Sequence, residues 1–179
     1  SIDDSMLESA INSATDFINA YTSRDFNNAG TAVRYFEADD NYNVVIDDLQ
    51  SISELATSTN ADMVFDSVWS ATDYQLTPVN GRANGLVTPY TGLKATNRFY
   101  FPYWNGMTLV RVTGVWGWAS VPANVKQACI LQAARIFKRN DSPLGVLSAP
   151  DLGYIRVGSR LDPDVEMMIS GYRRVRGVA

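Results

Sequence analysis

Histidine is absent from this 179-residue sequence. A Ser-His-Asp triad, a Cys-His pair and a His-rich metal site all need an imidazole, so none can be built here. No glycine-rich phosphate loop of the Walker type occurs. The single thiol, Cys129, lies within the largely apolar stretch from Val125 to Phe137. A lone cysteine cannot close an internal disulfide, and a thiol in apolar surroundings behaves as an inert small hydrophobe. Two carboxylate pairs, Asp39-Asp40 and Asp47-Asp48, invite a calcium reading. Hard cations need several oxygens at fixed geometry, and these pairs lack the loop spacing, the glycine and the terminal glutamate of a helix–loop–helix site. They read as solvated turns and strand ends. Nothing singles out a Lys–carboxylate pair for acid–base work. The expectation is a non-enzyme with no metal and no cofactor.

Two further sets of side chains could bind rather than react. Trp69, Tyr74, Tyr90, Tyr100, Tyr103 and Trp104 could stack on sugar rings or fill a small β core. The densest of these, Tyr100 to Gly106, reads as a packed loop. Arg173, Arg174 and Arg176 cluster at the C-terminal end. They could hold carboxylates by two-point contacts.

The elements that must position these groups follow from periodicity. Leu109 to Val115 alternates as a strand, with Leu109, Arg111, Thr113 and Val115 on one face and Val110 and Val112 on the other. Gly114 and Gly117 flank a Trp116-Gly117-Trp118 turn. Pro122 then suits the first turn of a helix. From Val125 to Phe137 that helix is apolar on most of its circumference, which predicts burial on more than one side. Ala128, Cys129, Ala133 and Ala134 are small enough for another helix to approach closely. A first helix is expected over Asp3–Tyr21, with Leu7, Ile11, Ala14, Ile18 and Tyr21 as its packing stripe and Ala10 and Phe17 beside it. A last helix, Pro163–Arg174, has Asp162 as its N-cap and buries Val165, Met168, Ile169 and Tyr172. Between the first and central helices the candidate strands are short: 31–37, 43–46, 52–56, 63–68 and 74–77. Asn80-Gly81 and Asn84-Gly85 are hairpin signals. Tyr154–Val157 is a further short strand, after a loop through Pro150-Asp151. The predicted class is α+β: a small bundle of three main helices with an inserted antiparallel β subdomain. The divisions fall at 1–30 for the N-terminal helix, 31–107 for the β insertion and 108–179 for the C-terminal helical core with its tail.

Charge is uneven along the chain. Up to Ser120 there are six Lys/Arg and fourteen Asp/Glu; from Val121 onward there are nine and five. The total of -4 argues against a general nucleic-acid binder, which carries a basic excess. No apolar run reaches the roughly 18–20 residues of a membrane span. The acidic opening, with Asp3, Asp4 and Glu8, does not read as a signal peptide.

The segment VTGVWGWASVPANVKQACILQAARIFKRNDSPLGV resembles the C-terminal core of head–tail connector (adaptor) proteins of tailed bacteriophages. The resemblance continues through Tyr154–Gly158 to Asp162-Pro163-Asp164 and Tyr172-Arg173-Arg174. It covers 109–176 well and 3–36 loosely, and leaves 37–107 unmatched. It implies a virion structural protein, made in the host cytoplasm and placed at the head–tail interface. Such a protein would dock under the portal protein as a ring of about twelve copies, set by portal symmetry. DNA would pass through the lumen without specific binding, and the other face would receive the next tail-proximal connector or stopper. The resemblance also implies that the C-terminal segment, with Arg173, Arg174 and Arg176, reaches the portal. The apolar excess of the central helix, at Ile130 and Ala134, and the aromatic loop, at Tyr103 and Trp104, are expected at a subunit boundary. Other readings of the same residues are a glycan-binding module built on the aromatic insertion, and a phage decoration or tail-tube protein.

Overall fold

The computed structural model describes residues 2–96, 98–104, 106–140, 146–149, 153–156 and 161–174. The class is α+β. The described elements include three helices, α1 (Ile2–Thr22), α2 (Ala123–Asn140) and α3 (Pro163–Ile169), and an antiparallel sheet. The chain divides into two compact units: residues 1–24 with 121–179, and residues 25–120. These differ from the divisions at 30/31 and 107/108 read from the sequence; at the later one, the strand Val110–Gly117 groups with the sheet.

In the helical unit α2 packs against both α1 and α3. α1 buries Ala10, Ala14, Ile18 and Thr22; α2 buries Val125, Ala128, Gln132 and Ala133; α3 buries Val165 and Ile169. The small residues on α1 and α2 let the two helices pack closely, as the sequence predicts for Ala128, Cys129 and Ala133; Ala134, expected with them, faces solvent instead. The expected stripe on α1 is covered only in part, since Leu7, Ile11 and Phe17 are exposed. α2 is buried on one side only; Ile130 and Ala134 face solvent. Asp162 caps α3 by accepting from the Asp164 N–H at 2.8 Å, and its other oxygen pairs with Arg135 of α2. α3 ends sooner than its periodicity implies, passing into a 3-10 turn at Ser170–Tyr172. A hairpin, β9 (Val146–Ala149) with β10 (Gly153–Arg156), belongs to this unit's stretch of chain. β9 forms where the sequence pattern reads as loop; residues 157 and 158 of the expected strand lie outside the described residues.

The sheet unit contains β1 (Asn28–Phe36), β2 (Asn43–Thr57), β3 (Ser67–Val68), β4 (Tyr74–Thr77), β7 (Tyr90–Ala95) and β8 (Val110–Gly117), in the order β1-β8-β2-β7-β4 with β3 on β2. A separate hairpin, β5 (Arg82–Ala83) and β6 (Leu86–Val87), turns at Asn84-Gly85, both with positive φ. That hairpin signal holds. Asn80-Gly81 instead closes a 3-10 turn, Val79–Gly81. β2 is one strand where two were expected. Its register shifts between Val45 and Leu49, and again on either side of Ser51-Ile52. Each shift resets the in–out phase, so Asp48 and Leu49 are both buried. β7 went unread because Gly92 and Lys94 interrupt its apolar pattern. Gly92 is needed there: a Cβ would lie 2.7 Å from Thr77 Oγ1 and 3.3 Å from the Val44 carbonyl. Of the candidate 63–68 only Ser67–Val68 is strand.

β8 lies between the edge strand β1 and the central strand β2. Val110, Val112 and Trp116 point into the core with Leu55, Leu93, Trp69 and Phe101. The predicted alternation holds, but the strand runs straight through Trp116-Gly117, and no turn forms there. Trp116 is wholly buried; its indole N–H donates to the Ala32 carbonyl at 2.8 Å, and the Arg34 guanidinium lies over its ring. Gly117 has φ of 81°, and a Cβ on it would meet the Asn27 carbonyl oxygen at 2.1 Å. Gly30 also has positive φ, of 71°, but a Cβ there meets nothing. We therefore expect Gly30→Ala to lower stability by about 1–2 kcal/mol, the conformational term alone. Gly117→Ala should lose about 2–4 kcal/mol, because strain and collision act together. Urea melts of the two variants check the difference; equal losses would mean that the Asn27 contact relaxes freely.

Candidate interaction surfaces

The carboxylates that suggested a cation site are all engaged in local structure. Asp40 accepts from the N–H groups of Tyr42 and Asn43 and from the Asn43 side-chain amide. Those bonds, the Asn43 amide first and the Tyr42 N–H next, hold its carboxyl below the ordinary value. Asp39 accepts from the Val45 N–H at 2.6 Å. Asp47 pairs with Arg34 at 2.7 Å. Asp48 is buried and takes the Trp118 indole N–H at 2.8 Å, a role its place in a charged pair did not suggest. Among the described residues no cluster of three metal-binding side chains exists. Cys129 is half-buried, with its sulfur 3.6 Å from Thr15 Oγ1. No described helix is long and apolar enough to cross a membrane.

The six aromatic candidates separate into two groups. Trp69 is core; its ring stacks on Phe101 at 4.6 Å and its N–H donates to Thr57 Oγ1. Tyr74 and Tyr90 pack against the same core. Burial raises the Tyr74 phenol above its usual value. Tyr100, Tyr103 and Trp104 face solvent, with Trp104 57% and Tyr100 55% exposed. Their loop is nevertheless fixed. The Phe101 N–H donates to the Asn41 carbonyl at 2.8 Å and the Asn41 side chain returns a bond to the Phe101 carbonyl. The Gly106 N–H donates to Glu37 Oε1 at 2.6 Å. Phe101 turns inward as the anchor, and its neighbours in sequence turn out. Tyr42 joins them from the β1–β2 turn, edge-on to Tyr100 at 5.2 Å, and hydrogen bonding between the two raises the Tyr42 phenol. The sequence reading missed Tyr42 and Phe99 as members of this end. An aromatic residue inside the polar turn 38–42 was the available signal.

The helical unit presents a different surface. Ile130 is 62% exposed, and Lys126, Gln127, Ala134 and Lys138 on the same helix are exposed too. Met167 of α3 is also open. Tyr103 and Trp104 lie in one unit and Ile130 and Ala134 in the other. Of the three arginines, Arg173 places its guanidinium 5.7 Å from the Tyr21 ring centre. The Arg174 N–H donates to the Thr22 carbonyl at 2.8 Å, and Arg24 Nε donates to the Tyr172 carbonyl. The chain is thus tied to α1 as far as Arg174. Arg176 lies outside the described residues.

No protein-family model matches the sequence, and no curated protein sequence does. Solved structures do match in fold. One is a chain in the neck of the empty GTA particle computed with C6 symmetry: 15% identity over 98% of this chain and 81% of that chain, with a TM-score of 0.54. Another is a chain in the neck of the native GTA particle computed with C12 symmetry: 16% identity, 96% and 84% covered, TM-score 0.53. A third, from the virion of the native gene transfer agent (GTA) particle, has 18% identity, 98% and 80% covered, and a TM-score of 0.50. At these identities the likeness is one of fold, and it spans nearly the whole chain, β insertion included.

Asp40 offers a check on the turn beneath the aromatic end. A carboxyl held below its unfolded value contributes stability that is complete above the unfolded pKa and is lost as pH falls through the folded one. Asp40→Ala should lower stability at neutral pH by about 1 kcal/mol, the worth of a turn-capping carboxylate on the surface. The gap between variant and parent should close on acidification. A gap independent of pH, in urea melts at neutral and acid pH, would show that the charge contributes nothing.

Proposed function

We propose that this chain is a virion structural protein, a head-to-tail adaptor of a tailed-phage-like particle. It docks under the portal vertex as a closed ring and forms part of the DNA channel between head and tail. The observation that carries this reading is the fold match over 96–98% of the chain to chains in GTA necks computed with sixfold and twelvefold symmetry. The sequence resemblance of 109–176 to connector cores points the same way from different evidence. Its mechanism is assembly, through head-to-tail contacts between identical subunits that close on themselves. Ile130, Ala134, Tyr103 and Trp104 are the proposed subunit contacts. Arg173, Arg174 and Arg176 are the proposed portal contacts. The tail-proximal face receives the next connector or stopper.

The net acidic sheet unit suits a conduit. Lys and Arg rings along a channel would hold phosphates tightly and in a salt-dependent way, whereas acidic or neutral walls let DNA slide. The exposed aromatic end also fits stacking on sugars; a monomeric mass with binding to soluble glycans would favour that reading.

Two expected outcomes test the adaptor. Mixed with the portal protein, the chain should appear by electron microscopy as a ring on the portal's tail-facing end, with acidic or neutral groups dominating its lumen. A protein that never binds portals sinks the reading. Next, Arg173→Ala, Arg174→Ala and Arg176→Ala together keep the backbone bond from Arg174 to Thr22 available. The triple variant should fold normally yet dock more weakly, and parent docking should weaken as salt rises. Each exposed pair contributes only about 0–1 kcal/mol, but the ring multiplies it. Unchanged docking and salt dependence would place the portal contact elsewhere.

A further inference from the structure

The two exposed apolar surfaces differ in chemistry in a way that fits them to each other. The end of the sheet unit offers rigid rings, Tyr42, Tyr100, Tyr103 and Trp104, held by the buried Phe101 anchor. Around them stand the carboxylates of Glu37, Asp39 and Asp40, which are exposed. Lys94, near enough to act on Asp40, and Arg98, exposed next to Phe99 in sequence, leave this end net acidic. The outer side of α2 offers the reverse: an aliphatic spot at Ile130 and Ala134, with the ammonium groups of Lys126 and Lys138 on the same exposed surface. α2 contains no acidic residue.

We propose that these are the two halves of one heterologous contact, in which the aromatic end of one copy seats on the outer side of α2 in the next copy. This inference rests on the ring reading and gives it a specific joint. The flat rings cover Ile130, and the small Ala134 leaves room for them. Rigid aromatic anchors lose little freedom on docking, which is why Trp and Tyr dominate interface energetics. Lys126 and Lys138 meet ring faces and carboxylates, and both attract ammonium groups. Like-to-like pairing is disfavoured on the same grounds. Two aromatic ends together would bring two net acidic surfaces face to face, their carboxylates only partly offset by Lys94 and Arg98, and two α2 faces would oppose Lys126 and Lys138 to theirs. A contact between unlike faces propagates from copy to copy, as a ring requires.

The test uses two full-length variants. One carries Tyr103→Ser and Trp104→Ser; the other carries Ile130→Glu and Ala134→Glu. All four positions are exposed, and circular dichroism with thermal melts verifies folding. Should the second variant melt early, Lys126→Glu with Lys138→Glu replaces it. Masses are read by sedimentation at concentrations where the parent assembles. Each variant alone should lose self-association by about thirtyfold or more, the effect of removing a hot spot. Mixed one to one, they should form a dimer and nothing larger, because only one intact joint remains between an unmodified α2 face and an unmodified aromatic end. A variant that still assembles like the parent, or a mixture that stays monomeric while the parent forms rings, overturns this joint and leaves the ring reading intact. A parent chain that remains monomeric both alone and on portal overturns the ring and the joint together.

Discussion

The closeness of β8 to its neighbours is the constraint on which the sheet unit depends. β1 and β2 approach so tightly that a Cβ on Gly114 would lie 2.4 Å from the Ser51 carbonyl oxygen, and one on Gly117 would lie 2.1 Å from that of Asn27. Those glycines let the large indole of Trp116 be buried completely between them in sequence, with its N–H satisfied by Ala32. A buried indole without a partner would be destabilising, so the ring's position and the β1 backbone fix each other. The register shifts of β2 follow from the same crowding, since Ser51 and Ile52 are the residues beside Gly114.

Polar groups in this protein serve the frame. Asp40 and Asp39 close the β1–β2 turn, Asp48 holds Trp118, Asp162 caps α3 and pairs with Arg135. Glu54 pairs with Arg111 across β2 and β8 at 2.7 Å. A carboxylate fixed by backbone N–H groups is stabilised as a charged acceptor and is poorly suited to exchange protons with a substrate. These carboxylates hold local shape. What the chain offers a partner is surface: aromatic rings at one end of the sheet unit, and aliphatic and cationic groups on α2.

Much of this was legible in the sequence because it is local. Val110, Val112 and Trp116 alternate with Arg111, Thr113 and Val115, and alternation reports a half-buried strand wherever it occurs. Asp162-Pro163-Asp164 specifies a helix start by its own backbone geometry, and Asn84-Gly85 specifies a hairpin by tolerating positive φ. The extents of α1 and α2 and the α+β class followed from such signals. Tertiary structure decided the rest, because burial depends on what lies opposite. The shifts that join 43–46 to 52–56 as one strand are set by β7 and β8, not by β2 itself. Leu7, Ile11 and Ile130 have the periodicity and apolar character of core residues, yet none of the described elements covers them, whereas Ala14 and Ala128 are sealed. Trp69 and Trp104 are the same residue type, 35 positions apart. One is core and the other is surface because Phe101, held by Asn41, turns the loop between them. Side-chain type sets what a residue would gain from burial; only the arrangement of the other elements sets whether that gain is available within one chain.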